Sequence, residues 1–391
     1  MRQCRRRPRA IPSLVFAVAL SSAGGCAATA GDGGSSGGRE ASPSAATQAP
    51  ASIDDALFER LVEETETARG QRFLRPPALA WADAGDAALA PLERERLELP
   101  LLRSAPGFFQ LRTVDTAFAD RERDRIVAIP PGDVSDLRVA LASLLDAQLY
   151  PDLVRDAALL PGDPGLAQRG MLAASARATA DGGLGPVPSG PRMDPFSEAV
   201  LRVTHPVGTS TSLVTPIFAA TEFLQGFSDR EAPFRRPPLS TFEILVPGAW
   251  ERAEPPVLLI GPEPRLGSCT VAGDESLGVF RLGVALIERG GSVPGVALGE
   301  WRGDRLVTWR CADGSAPWLY VAELGSDRGA EALRDAAEAL LPASLARPLA
   351  ASAHDRRAIV SHGVPEAAQR EFVAALRGEP LRSASQILPL R

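Results

Sequence analysis

Five leucines set the first constraint on this chain. Leu137, Leu141, Leu144, Leu145 and Leu149 recur every three or four residues. That period puts them on one side of an α-helix but scatters them over both faces of a strand. The stripe predicts an amphipathic helix over residues 135–150, and a stripe so continuous must be buried against a second layer. Pro130-Pro131-Gly132-Asp133 turns the chain ahead of it, and Pro151 ends or restarts it. Just upstream, Arg125-Ile126-Val127-Ala128-Ile129 has the β-branched content of a short strand.

Other segments fill in a mainly helical half. Ser52 reads as an N-cap, followed by Asp54 and Asp55 where the helix dipole favours negative charge. Ile53, Leu57, Leu61 and Val62 then share one face, and Gly70 is a natural stop. Residues 153–160, 165–180 and 216–227 read as further helices, and the Gly- and Pro-rich stretch 181–191 as an exposed loop. After residue 250 the character changes. Strands are expected at 257–260, 305–311, 318–322 and 357–360, with helices at 277–288, 328–341 and 365–376. Ala312-Asp313-Gly314 marks a hairpin. The order β-α-β-β-α-β-α is compatible with a ferredoxin-like layer. The expected fold class is therefore α+β, with a mainly helical domain over 52–250 and a smaller α+β domain over 251–391.

The first 25 residues have a different purpose. Arg2, Arg5, Arg6, Arg7 and Arg9 precede an apolar run over 11–20, and small residues close as Ala23-Gly24-Gly25-Cys26. This is the build of a bacterial export signal ending at a lipoprotein processing site. A diacylglycerol would join the Cys26 thiol and cleavage would leave Cys26 first. The run is shorter than the roughly 20 residues a membrane span needs. Ala23 stands where Leu is usual, so an ordinary cleaved signal remains the alternative. Residues 31–50, rich in Gly, Ser, Ala and Pro, read as a flexible tether. The expected location is the cell envelope, facing the periplasm or exterior, tethered to the membrane through lipid on Cys26. Ala27 and Ala28 carry no acidic retention cue, which favours the outer membrane where there is one.

Charge narrows the partners. All 42 basic residues are Arg, and there is no Lys or Asn anywhere. Without the five signal arginines, 37 basic groups face 48 acidic ones. A net acidic chain with scattered Arg has no electrostatic footprint for nucleic acid. A peptide or an envelope protein is the partner class expected. Beyond the signal and Cys26, two cysteines remain, Cys269 and Cys311. In an oxidising compartment they can pair; the alternative is two buried free thiols.

Three segments, in order and spacing, resemble a family of exported bacterial zinc metallopeptidases. They are Arg69-Gly70-Gln71-Arg72-Phe73-Leu74-Arg75-Pro76, Pro237-Pro238-Leu239-Ser240-Thr241-Phe242-Glu243-Ile244-Leu245-Val246-Pro247, and Trp301-Arg302-Gly303-Asp304-Arg305. The resemblance spans most of residues 52–380. It implies a zinc helix with two His at i and i+4 and a Glu between them, placed to hold an ion and polarise its water. Aligned on Leu145-Asp146-Ala147-Gln148-Leu149-Tyr150, this chain has Val139, Ala140 and Ser143 at those places. No carboxylate stands near 173–176 for a third ligand, and Val246 replaces the His of the Pro-rich stretch. The whole chain has three His, His205, His354 and His362, none within five residues of another. No metal and no cofactor are expected.

Other constellations are weak. Gly208-Thr209-Ser210-Thr211-Ser212 lacks the second Gly of a nucleophile elbow. Ser361-His362-Gly363 follows a strand, where catalytic groups can sit, though capping or surface roles are commoner. Glu63, Glu64 and Glu66 read as a solvated helix flank, and Asp181-Gly182-Gly183-Leu184-Gly185 lacks P-loop spacing. Trp301, Trp309 and Trp318 read as core or as an exposed platform. The expectation is an envelope protein with a metallopeptidase-like outline, catalytically inactive, that binds or scaffolds. Its rivals are an active hydrolase with an unrecognised site and a plain structural lipoprotein.

Overall fold

A cap at each end frames the first helix. The structure, a computed structural model, describes residues 53–82, 116–130, 132–183, 214–246, 248–252, 254–288, 295–339 and 349–387. The export segment, Cys26, the tether, Ser52, His205 and residues 208–212 lie outside these. α1 (Asp55–Arg69) is capped by Asp54, which accepts a hydrogen bond from Leu57 N at 2.8 Å. Gly70 closes it in the left-handed region at φ 71°, which only glycine enters without strain.

β1 (Ala78–Trp81) runs parallel to β3 (Arg125–Ala128), and β2 (Ala117–Asp120) pairs antiparallel on the other side of β3. The leucine stripe then folds as α2 (Val134–Leu149), capped by Asp133. Leu137, Leu141 and Leu144 have no exposed surface; they pack with Phe58, Leu61, Ile126 and Ala128. Pro151 restarts the chain as the first residue of α3 (Pro151–Leu159). α4 (Gly162–Ala180) is buried nearly all round, as suits a helix rich in Ala and Gly at the centre of a bundle. α5 (Val214–Gln225), α6 (Ala232–Arg235) and α7 (Thr241–Leu245) complete this half.

β4 (Val257–Ile260) comes next, then β5 (Thr270–Glu275), α8 (Gly278–Glu288), α9 (Gly295–Gly299), β6 (Trp301–Arg310) and β7 (Trp318–Leu324). They are followed by α10 (Asp327–Ala339), β8 (Leu349–His354), β9 (Arg357–His362), α11 (Glu366–Ala375) and β10 (Arg377–Pro380). Five strands form an antiparallel sheet in the order β5-β6-β7-β9-β8, and β4 pairs with β10 in a separate ribbon.

The class is α+β, but the sheet corrects the ferredoxin-like expectation. That topology interleaves its two halves through parallel neighbours, whereas here every neighbour is antiparallel and the strands lie nearly in sequence order. The strand expected first, 257–260, belongs to the ribbon. Its place is taken by β5, whose sequence Thr-Val-Ala-Gly-Asp-Glu is too polar to announce an edge strand.

The sheet is covered on both faces. Leu306 and Tyr320 face a core shared with Leu166, Met171, Phe234 and Phe242. Val307, Leu319 and Val321 face the other way, onto Leu259, Phe372 and Leu376. This is strand alternation with both faces buried. Because the first core joins residues on either side of position 250, the expected division there does not separate two cores; residues 50–391 form one compact unit. Trp301, Trp309 and Trp318 are all inside these cores, so these three indoles form no exposed platform.

Candidate functional site

The positions that the resemblance gives to zinc ligands lie on α2. Ala140 is 4% exposed and packs in the apolar core with Leu137, Leu141 and Leu144; Val139 and Ser143 are half-buried. His354 ends β8 and His362 ends β9. The register pairs His354 with Arg357 and Leu349 with His362. The two imidazole-bearing positions are therefore five rungs apart, about 16 Å at ~3.3 Å per residue. Among the described residues no three His, Cys, Asp or Glu gather as a metal site. Ser361 is buried while His362, the next residue on the strand, projects to the other face, so they cannot act as a pair. Glu64 pairs with Arg138 at 2.6 Å in solvent, and Glu66 accepts from Phe73 N at 2.9 Å. Cys269 and Cys311 stand at disulfide distance, Cα atoms 4.1 Å apart, where β5 begins and β6 ends.

The three motif segments hold buried charge. Arg69, 8% exposed, reaches Asp146 at 3.0 Å and Glu231 at 2.8 Å, and donates to Tyr150 Oη at 3.3 Å. Its guanidinium lies 4.8 Å from the centre of the Phe234 ring. Burial works against this cation, but Asp146 and Glu231 outweigh it and raise its pKa. Burial also pushes the Asp146 carboxyl up, with Arg69 pulling it back. Gln148 locks the same segment by accepting from Arg75 N and donating to Arg75 O, at 3.1 and 3.0 Å.

The other two segments meet at the start of α4. Asp163 has no exposed surface. It accepts from Thr241 N at 3.0 Å and from Thr241 Oγ1 at 2.5 Å, and Thr241 Oγ1 in turn accepts from Phe280 N. Across Gly278 lies Asp304. It accepts from Ser276 Oγ, Leu277 N, Gly278 N, Trp301 Nε1 and Tyr320 Oη, at 2.6 to 3.3 Å. Asp304 thereby caps α8 from a different strand. Gly278 has φ +76°, and a Cβ there would fall 1.8 Å from Asp163 Oδ1, so only glycine lets the two segments close. Burial drives the Asp163 pKa to about 7, helped by Asp304 and opposed by Thr241. Burial likewise raises Asp304 and Tyr320.

In front of this knot is a cleft of about 560 Å³. Pro161 and Pro164 line it from the start of α4, Leu239 from the Pro-rich segment, Leu258 from β4, and Val271 and Asp274 from β5. Arg305 closes one side. Its Nε and Nη2 clamp Asp274 at 2.8 and 2.7 Å, its guanidinium lies 5.3 Å from the Phe372 ring centre, and its Nη1 is buried with no hydrogen-bond partner among the described residues.

Comparison with protein-family models, with curated proteins and with solved structures finds no match. Thr241, Asp304 and Arg305 sit inside segments that the sequence singles out. Asp163 does not: Gly162-Asp163-Pro164 looks like any surface turn at a helix start, and only its partners, 78 and more residues away, distinguish it.

Proposed function

We propose that the protein is a lipid-tethered envelope protein, metallopeptidase-like in outline, that binds a ligand in the cleft between α4, β4 and β5 and does not hydrolyse it. The cleft is the observation that carries this reading. Its volume lies within the roughly 300–1,000 Å³ of small-ligand sites, and its walls are mostly apolar with a few convergent polar groups. Arg305 Nη1 is a donor without an acceptor among the described residues at its edge, and an unmade buried hydrogen bond costs about 1–3 kcal/mol. A carbonyl or carboxylate reaching it would recover that. The α2 positions argue against the alternative of zinc hydrolysis. Catalytic zinc keeps three protein ligands and an open, wet position, whereas Ala140 lies in a dry apolar layer.

The test uses residues 52–391, the compact unit less its first two residues. A screen of peptides and small acids by thermal shift should find a stabilising ligand, and Val271→Arg in the cleft wall should abolish the shift. The same preparation, incubated with zinc and dialysed, should retain no stoichiometric metal and cleave no peptide. One equivalent of retained zinc with metal-dependent cleavage would overturn the reading, as would ligands indifferent to Val271→Arg. In the full chain, labelled palmitate should enter the wild type and not Cys26→Ala; equal labelling would sink the lipid tether.

A further inference from the structure

Two carboxylates flank Gly278, and they are supplied very differently. Among the described residues Asp304 receives five hydrogen bonds, Asp163 two, both from Thr241. The charged or titratable groups that face Asp163 are Asp304 from β6, Arg281 from α8 and Tyr320 from β7. Arg281 is also tied to Glu275 of β5 at 3.0 Å. Two acids thus converge in a nearly buried site, where Arg281 is a counter-charge for Asp163. Ionising both puts like charges together in a low-dielectric interior, which is costly.

Asp163 is also a joint. Its backbone N–H donates to Ser276 O at 3.1 Å, and a Cβ on Gly162 would meet Ser276 O at 2.6 Å. The corner 162–163 and the turn 276–278 therefore touch through backbone and carboxylate at once. Both also line the cleft, through Asp163 and Ser276.

We propose that this corner is an acid-strengthened latch: a proton on Asp163 holds the start of α4 against the turn before α8, and its loss loosens that contact and one wall of the cleft. In the held state the carboxyl carries the proton while it accepts from Thr241 N and Thr241 Oγ1. In the released state a second negative charge sits beside Asp304. The sign follows from linkage. The folded chain keeps this proton up to a pH of about 7, whereas the unfolded chain loses it near 3.8. Between those values the folded state binds more protons. The stability contributed by the proton is complete below the unfolded pKa and is lost as pH rises through the folded one. The latch does not depend on the cleft having a ligand, so it stands or falls separately from the binding reading.

The experiment is a pH series of thermal melts on residues 52–391. The wild type should lose several degrees of Tm between pH 5 and pH 8. Asp163→Asn, which cannot ionise, should lose clearly less over that range. Burial raises Asp146 and Asp304 as well, so a slope that survives undiminished in Asp163→Asn belongs to other groups and overturns the latch. So does a Tm that rises with pH. Should Asp163→Asn fail to fold, Thr241→Val decides. Thr241 lowers the pKa of Asp163, so its loss should move the midpoint of the Tm profile upward, and an unmoved midpoint rejects the proposal. Amide exchange reads the loosening directly. Corrected for intrinsic base catalysis, exchange at Leu277, Gly278 and Phe280 should quicken severalfold from pH 6 to pH 8 relative to Val307; equal rates also reject it.

Discussion

At the scale of single residues, burial turns ordinary side chains into strong determinants. Arg69 is the main counter-charge of Asp146, which is 2% exposed. Removing one partner of such a pair leaves an uncompensated buried charge, which costs about 3–5 kcal/mol. Glu231 is partly exposed and can turn to water, so the lower end applies. Arg69→Ala should therefore lower the urea-derived unfolding free energy by about 3 kcal/mol, and the double variant with Asp146→Ala should recover part of it. A single-variant loss below half a kcal/mol would contradict this account. Gly303 makes a steric case. A Cβ there would come within 1.9 Å of Val257 O, where β4 crosses the bulge in β6. Gly303→Ala should destabilise by at least about 1–3 kcal/mol, the usual cost of forced backbone shifts, again by urea titration. Both residues belong to segments that draw notice in the sequence, and their roles prove to be packing and charge compensation.

At the scale of elements, legibility followed periodicity and burial. α2 was readable because its leucines repeat with the helical period, and β4 because Val-Leu-Leu-Ile has no polar break. Four-residue strands such as β1 and β2 carry too few residues for any period to show. β5 is a polar edge, and half of β8 is alanine. The ribbon partner of β4, Arg-Gly-Glu-Pro, is a strand only because β4 lies beside it. Pairing choices of this kind are settled by long-range packing, which no local window contains. The candidate site divides in the same way. Asp304 and Thr241 lay in recognisable segments, but the contact that joins them to Asp163 is purely tertiary. The edge strand offers a further test. Cys269 and Cys311 join the start of β5 to the end of β6 across 42 residues of sequence. Closing a loop of that size contributes about 3–4 kcal/mol in the chain-entropy model. The Cys269→Ser, Cys311→Ser double variant should melt several degrees lower, with fast amide exchange at 270–275. An unchanged Tm would show that the loop is held by other contacts, such as Trp309 Nε1 to Pro264 O at 3.3 Å.

At the scale of the molecule, the decisive fact is that one core runs through both halves of the chain. Leu166, Met171, Phe234 and Phe242 come from the helical half, and Phe280, Trp301, Tyr320 and Leu333 from the sheet half; all are buried together. Phe242 and Trp301 rings lie 5.8 Å apart across that seam. The polar knot crosses it too, since Asp163 and Thr241 belong to one half while Phe280 and Asp304 belong to the other. A sheet face that loses its cover exposes a contiguous apolar patch, which isolated soluble domains rarely tolerate. Residues 251–391 alone would uncover Trp301 and Tyr320 and strip the Phe280 amide of its acceptor. Residues 52–250 alone would strip Asp163 of its glycine neighbour and leave α4 without its roof. Neither half should therefore melt cooperatively when expressed alone, and mixing them should restore a two-state transition near that of the intact chain. If residues 251–391 alone unfold cooperatively at the intact temperature, the sheet half is its own domain. The cleft would then be a hinge between two bodies instead of a groove in one.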